Sequence, residues 1–125
     1  MDVQTFQDLI VWQKSHRLIL LLYKLTEKYP RHELFGLISQ TRRCGVSIPS
    51  NIAEGFKRKT ITDSIHFCNM ADTSLEELKY DLILARDLKY INESEYNQAM
   101  GSAEEVGRLL NGWKKSKIRG KQVSG

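Results

Sequence analysis

Apolar and polar positions alternate with a helical period along most of the chain. From about Phe6 to Lys28, the positions Leu9, Trp12, His16, Ile19, Tyr23 and Thr26 recur at steps of three and four, which lines one face of a helix. Pro30 ends this segment, because the residue before a proline is pushed out of the helical region. A third segment, expected over residues 61–90, repeats the steps at Cys68, Ala71, Leu75, Leu78, Leu82 and Ala85, with Thr60 or Thr62 as its N-cap. The fourth, over 93–117, carries Tyr96, Ala99, Ala103, Val106, Leu110 and Trp113, and Asn92 and Glu95 have the spacing of a capping box at its start. No run shows strand alternation. Matching seams joined by short connections predict an all-α fold, a single domain over residues 1–125 built as an antiparallel up-down four-helix bundle. A basic tail over 118–125 is expected to fray.

The second segment, over 33–57, contains Pro49. Either the helix stops at Ile48 and another opens at Pro49, or one helix continues with a kink. Continuation costs roughly 3 kcal/mol, through a lost backbone hydrogen bond and a clash with the carbonyl four residues back. That carbonyl belongs to Gly45, which bends easily. Read through the proline, Leu37, Thr41, Cys44, Ile48, Ile52 and Phe56 form an apolar ridge, and Gln40, Arg43, Ser47, Asn51, Glu54 and Arg58 a polar one. Two coherent ridges across the proline favour the Pro-kinked second helix. The polar ridge is flush with the apolar seam and rich in short side chains, which suits close helix approach with hydrogen bonds across it. Gln40, Arg43, Ser47, Asn51 and Glu54 are therefore candidates for an oligomer interface or a structural ridge inside the bundle.

Composition narrows the class. With 41% hydrophobic and 27% charged residues the chain is that of a soluble globular protein, not a disordered one. Cys44 and Cys68 have no zinc or redox spacing, so both are expected as buried, reduced thiols. The start lacks a basic leader pattern and the apolar run Leu18–Tyr23 is too short for a bilayer, so the expected location is cytoplasmic, with no membrane partner.

Charge is segregated along the sequence. Residues 42–59 hold Arg42, Arg43, Lys57, Arg58 and Lys59 against Glu54, and residues 106–125 hold six basic side chains and no acid. Between them, residues 60–105 hold ten acidic side chains against three basic. Such a pattern suits either a polyanion or complementary subunits. The candidate nucleic-acid contacts are Arg42, Arg43, Lys57, Arg58, Lys59, Lys114, Lys115, Lys117 and Arg119. Nothing in the sequence reads bases or forms an evident aromatic platform, so binding to RNA or DNA would be backbone-driven and salt-sensitive.

The chemistry of an enzyme does not assemble. His16 lies on the predicted seam of the first helix and reads as a core or boundary histidine, and His32 sits in a connection. His66 follows Asp63 at helical spacing, but no Glu-x-x-His pair of the di-iron kind exists. Arg58 and His66 stand too far apart for the Arg–His pair of helical ribonucleases. A haem motif and a phosphate loop are absent too, so no catalytic residue, cofactor or metal is expected.

Three blocks carry a resemblance. Phe6, Asp8, Leu9, Val11, Trp12 and Lys14 match an opening Phe-x-Asp-Leu-x-Val-Trp-x-Lys. Gln40, Arg42, Arg43, Ser47, Ile48, Asn51, Ile52, Ala53, Glu54 and Gly55 match a central Gln-x-Arg-Arg-Ala-x-x-Ser-Ile-x-x-Asn-Ile-Ala-Glu-Gly. Ala71, Ser74, Leu75, Glu77 and Leu78 match Ala-x-Gly-Ser-Leu-x-Glu-Leu. In these blocks the chain resembles the bacterial four-helix bundle proteins first noticed as reading frames in intervening sequences of 23S rRNA genes. Cys44 replaces the usual Ala and Thr73 the usual Gly. The resemblance implies a homopentameric ring without established enzymatic activity. A related branch, the accessory variability determinant of diversity-generating retroelements, implies binding to nucleic acid and a reverse transcriptase. The expected function is thus a non-enzymatic oligomer that binds nucleic acid through basic surfaces, the alternative being a protein-interaction module with no such role.

Overall fold

The computed structural model describes residues 2–124, with side chains as far as Gly120, so the side chains of the tail from Lys121 onward lie outside the described residues. Its main helices are α1 (Ile10–Thr26), α2 (Ser39–Lys57), α3 (Ile61–Asp87) and α4 (Glu93–Ser124). Each packs on its sequence neighbours and α4 closes against α1. Polar pairs fix the antiparallel directions. Lys14 with Glu105 and Lys28 with Glu95 join α1 to α4; Gln40 with Asp81 and Ser47 with Ser74 join α2 to α3; Lys114 with Asn69 joins α4 to α3. No strand occurs among the described residues.

The helix starts follow the expected local chemistry. Thr60 Oγ1 accepts the Asp63 N–H at 3.1 Å, and Asn92 and Glu95 form a reciprocal box, Oδ1 accepting at 2.8 Å and Oε1 at 3.0 Å. Ahead of α1, a 3-10 turn over Phe6–Asp8 lets the Asp8 carboxylate accept the Gln4 and Thr5 N–H groups, which holds its carboxyl below the usual range. At the far end of α3, Lys89 takes a left-handed φ of 65° and the Tyr90 N–H reaches back to the Ala85 carbonyl at 2.8 Å, which closes the helix.

The expected seams of α3 and α4 are in the core. Cys68, Ala71, Leu75, Leu78, Leu82 and Ala85 are all buried, as are Ala99, Ala103, Val106 and Leu110, with Tyr96 and Trp113 packed at the margin. On α1 the buried face is rotated from the expected one. It runs through Val11, Ser15, Leu18, Leu22 and Leu25, with Ile19 and Thr26 beside it. Trp12 is only partly buried, Tyr23 is 39% exposed, and His16 is exposed, not a core histidine; its ring stacks on Trp12 at 5.1 Å. Ser15 enters the core because its hydroxyl donates to the Trp12 carbonyl at 2.8 Å, so no polar group is left unpaired.

The helix does continue through Pro49. The break in this part of the chain lies earlier, at Gly36, whose φ of −111° and ψ of −112° interrupt the wide turn Leu34–Ile38 ahead of α2. The preceding Arg31–Glu33 forms a separate 3-10 turn, so the expected single helix from 33 is a short irregular lead followed by α2. Glu33 braces that lead, its Oε1 accepting the Leu37 N–H and its Oε2 the Tyr90 hydroxyl. Gly45 matters for packing: a Cβ there would sit 2.9 Å from Leu22 Cδ1 and 3.2 Å from Ile19 Cδ1, so its absence sets the α1–α2 approach. At the other terminus α4 stays helical to Ser124 and does not fray near Lys117.

Candidate nucleic-acid interface

Antiparallel packing brings the end of α2, the start of α3 and the last turns of α4 to one end of the bundle. Gly55 is the contact point. A Cβ on it would lie 3.2 Å from the Ser64 carbonyl oxygen, 3.3 Å from Phe67 Cβ and 3.6 Å from the Trp113 ring. The Ser64 hydroxyl donates to the Gly55 carbonyl at 2.6 Å, so the last turn of α2 is pinned to the first turns of α3. Lys57, Arg58 and Lys59 follow immediately. Lys114, Lys115, Lys117 and Arg119 continue from Trp113 along α4. Two basic clusters separated by more than fifty residues in sequence therefore share one end.

Aromatic rings support part of this charge. The Arg58 guanidinium lies 4.4 Å from the Phe67 ring centroid, held there by Glu54, whose Oε2 accepts from Nη2 at 2.6 Å. His66, exposed, meets the Phe67 ring edge-on at 5.3 Å. The Lys117 ammonium stands 4.1 Å over Trp113, and burial there lowers its pKa. Lys114 donates to Asn69 Oδ1 at 2.6 Å. Lys57, Lys59, Lys115 and Arg119 are exposed and make no ion pair among the described residues. The sequence hid the aromatic component because Phe67 and Trp113 sit on different helices.

Arg42 and Arg43 are not part of this end. Arg43 lies about 21 Å before Lys57 along α2, at a rise of about 1.5 Å per residue. Arg42 is engaged elsewhere: its Nε donates to Thr26 Oγ1 at 2.9 Å, Nη2 to the Tyr23 carbonyl at 3.3 Å, and its guanidinium lies 4.4 Å over the Tyr23 ring. It closes the C-terminal turn of α1, where a cation meets the helix dipole favourably. Around the two arginines lies an apolar patch of Tyr23, Leu34, Phe35, Ile38 and Val46 bordering a cavity of about 530 Å³. Phe35 is 92% exposed.

The polar ridge of α2 works largely within the chain. Gln40 Nε2 donates to Asp81 Oδ1 at 2.8 Å, the Ser47 and Ser74 hydroxyls meet at 2.8 Å, and Asn51 Nδ2 donates to the Ser47 carbonyl and hydroxyl. Arg43 and Glu54 remain on the outer surface. The apolar ridge beside it carries the buried Cys44, whose thiol donates to Asp81 Oδ2 at 3.4 Å; burial, with Asp81 beside it, pushes that thiol up to about 12. Cys68 is likewise buried and its pKa raised by burial. Neither is a nucleophile at neutral pH. Among the described residues no group of three or more His, Cys, Asp or Glu could hold a metal, and no helix is long and apolar enough to cross a membrane.

Comparison with known proteins follows the same outline. No curated protein matches the chain. A solved structure of a protein with unknown function from the S23 ribosomal protein family of Bacteroides thetaiotaomicron superposes with a TM-score of 0.78 at 26% identity, covering 85% of this chain and 99% of that one. The family described as 23S rRNA-intervening sequence protein matches residues 7–112. That span takes in the greater part of the bundle and stops just short of the basic run on α4, and the chain belongs to the 23S rRNA-intervening sequence protein family.

Proposed function

We propose that this bundle binds the sugar-phosphate backbone of nucleic acid through its basic end, as a non-enzymatic factor. The observation that carries the reading is that Trp113, from which Lys114, Lys115, Lys117 and Arg119 follow on α4, packs beside Gly55, from which Lys57, Arg58 and Lys59 follow at the end of α2. Fixed on rigid helix ends, these charges neutralise phosphates and release condensed counterions, so affinity would fall steeply with salt. Arg42 and Arg43 stand apart from this role. Fluorescence anisotropy with labelled RNA and DNA tests it: binding at low salt that weakens as salt is added supports the reading, and absence of binding at low salt overturns it.

A separate observation favours self-association at the other surface. A nearly fully exposed Phe35 beside Leu34, Tyr23 and Val46 is an apolar patch that a second copy would cover, with Arg43 available to a carboxylate of the neighbour's acidic α3. The family resemblance implies five copies in a ring. In such a ring the basic ends would act together, and avidity would raise affinity beyond that of one end. A role beside a reverse transcriptase or another nucleic-acid enzyme extends this reading, with the bundle holding the strand and the partner performing the chemistry.

A further inference from the structure

We propose that the basic end is built for single-stranded nucleic acid and discriminates against duplex; this rests on the polyanion reading above and specifies its ligand. Charge alone would treat the two alike, since both present phosphates. The bundle end adds planar groups to its charge. The planar Arg58 guanidinium lies 4.4 Å from the Phe67 ring centroid, on a residue that is itself exposed. The exposed His66 ring adjoins the same phenylalanine. Lys117 over Trp113 forms a second cation–aromatic unit, and the two units are neighbours, because Phe67 Cβ and the Trp113 ring both come within 4 Å of the position of a Gly55 Cβ.

Unpaired bases stack on aromatic rings and on arginine planes, whereas the bases of a duplex have their faces already occupied. The Arg58 guanidinium and the exposed His66 ring offer two such surfaces, and the exposed Lys57 and Lys59 flanking Arg58 in sequence, with Lys115 and Arg119 on α4, supply cations for phosphates. Glu54 positions Arg58 through its hydrogen bond and adds the one negative charge of this part of α2. Lys114, Lys115, Lys117 and Arg119 lie beyond residues 7–112, the span over which the family matches.

The test uses the full chain with Trp12→Phe, which leaves Trp113 as the only tryptophan. Labelled oligonucleotides of about 16 nucleotides, single-stranded or as a duplex, are titrated at one salt concentration by anisotropy, and Trp113 emission is followed in parallel. Single strands are expected to bind at least about fivefold tighter than duplex, given the stacking worth of a base, and to quench Trp113 where duplex does not. Arg58→Lys keeps the charge and loses the plane; it is expected to weaken single-strand binding about fivefold and leave duplex binding within about twofold. Equal affinity for both forms, or equal weakening of both by Arg58→Lys, overturns the inference while leaving the polyanion reading intact. Binding to neither form overturns both.

Discussion

Asp81 of α3 and Gln40 of α2 meet in the groove between their helices, the amide donating to Oδ1 at 2.8 Å, with Asp81 only 1% exposed. The second carboxylate oxygen takes the weak Cys44 thiol at 3.4 Å, and no basic side chain pairs with Asp81 among the described residues. Burial therefore raises its pKa above the ordinary Asp value, with Glu77 adding to the effect against the hydrogen bonds from Cys44 and Gln40. Between the unfolded and the native pKa, the native chain keeps a proton that the unfolded chain has lost. This contribution to stability therefore falls as pH rises through that window. Asp81→Asn removes the titration. Thermal melts at a series of pH values are expected to show the variant gaining on wild type as pH rises from about 4 and levelling off beyond the native pKa. A difference that does not change with pH would show that Asp81 titrates alike in both states.

Arg42 is assigned to the bundle and not to a ligand. Arg42→Ala loses a charge-assisted hydrogen bond and a cation–π contact at a partly exposed site, an expected cost of about 1–2 kcal/mol in urea unfolding. Its affinity for nucleic acid should stay within about twofold of wild type, because only a long-range charge is lost. A marked loss of affinity with unchanged stability would reverse this assignment.

Two glycines of the same helical fold should respond in opposite directions. A Cβ on Gly112 meets nothing within 4 Å, so Gly112→Ala should stabilise by up to about 1 kcal/mol through helix propensity. On Gly55 the new methyl presses on the Ser64 carbonyl oxygen at 3.2 Å, backbone that cannot rotate aside. Gly55→Ala should therefore destabilise by about 1–3 kcal/mol. Chemical denaturation of the two variants side by side measures both.

Phe35 tests self-association without endangering the monomer. Because it is 92% exposed, Phe35→Asp should leave the monomer's stability within about 0.5 kcal/mol. Light scattering is expected to show a smaller assembly than wild type. An unchanged mass would remove the apolar patch from the interface.

How far the sequence could be read depended on what kind of residue occupied each position. The α3 and α4 seams were legible because Leu, Val and Ala mark their buried faces without ambiguity, and the Thr60 and Asn92 caps because their partners are local. On α1 the pattern misled. Trp12, His16 and Tyr23 are large and partly apolar, so they suggested a face that the bundle leaves at its margin, while Ser15 looked polar and is buried by bonding its own helix. The break at Gly36 escaped because Pro49 was the stronger local signal, yet the helix runs through the proline. Arg42 could not be separated from the basic set before its partners on α1 were known. Nor could the approach of Phe67 to Trp113 be read, since it arises only once three helix segments meet around Gly55.

The central claim is that the charges at this end bind phosphates. Lys57 and Lys59 are exposed and make no ion pair among the described residues, so Lys57→Glu with Lys59→Glu alters that field without removing packing. The decisive measurement is the slope of log K against log salt for a single-stranded oligonucleotide, taken for wild type and for this double variant. Wild type should give a steep negative slope, and the variant a weaker affinity with a slope shallower by about 1.4, the share of two phosphate contacts on a single strand. Identical slopes and affinities, or no binding by wild type at low salt, would contradict it.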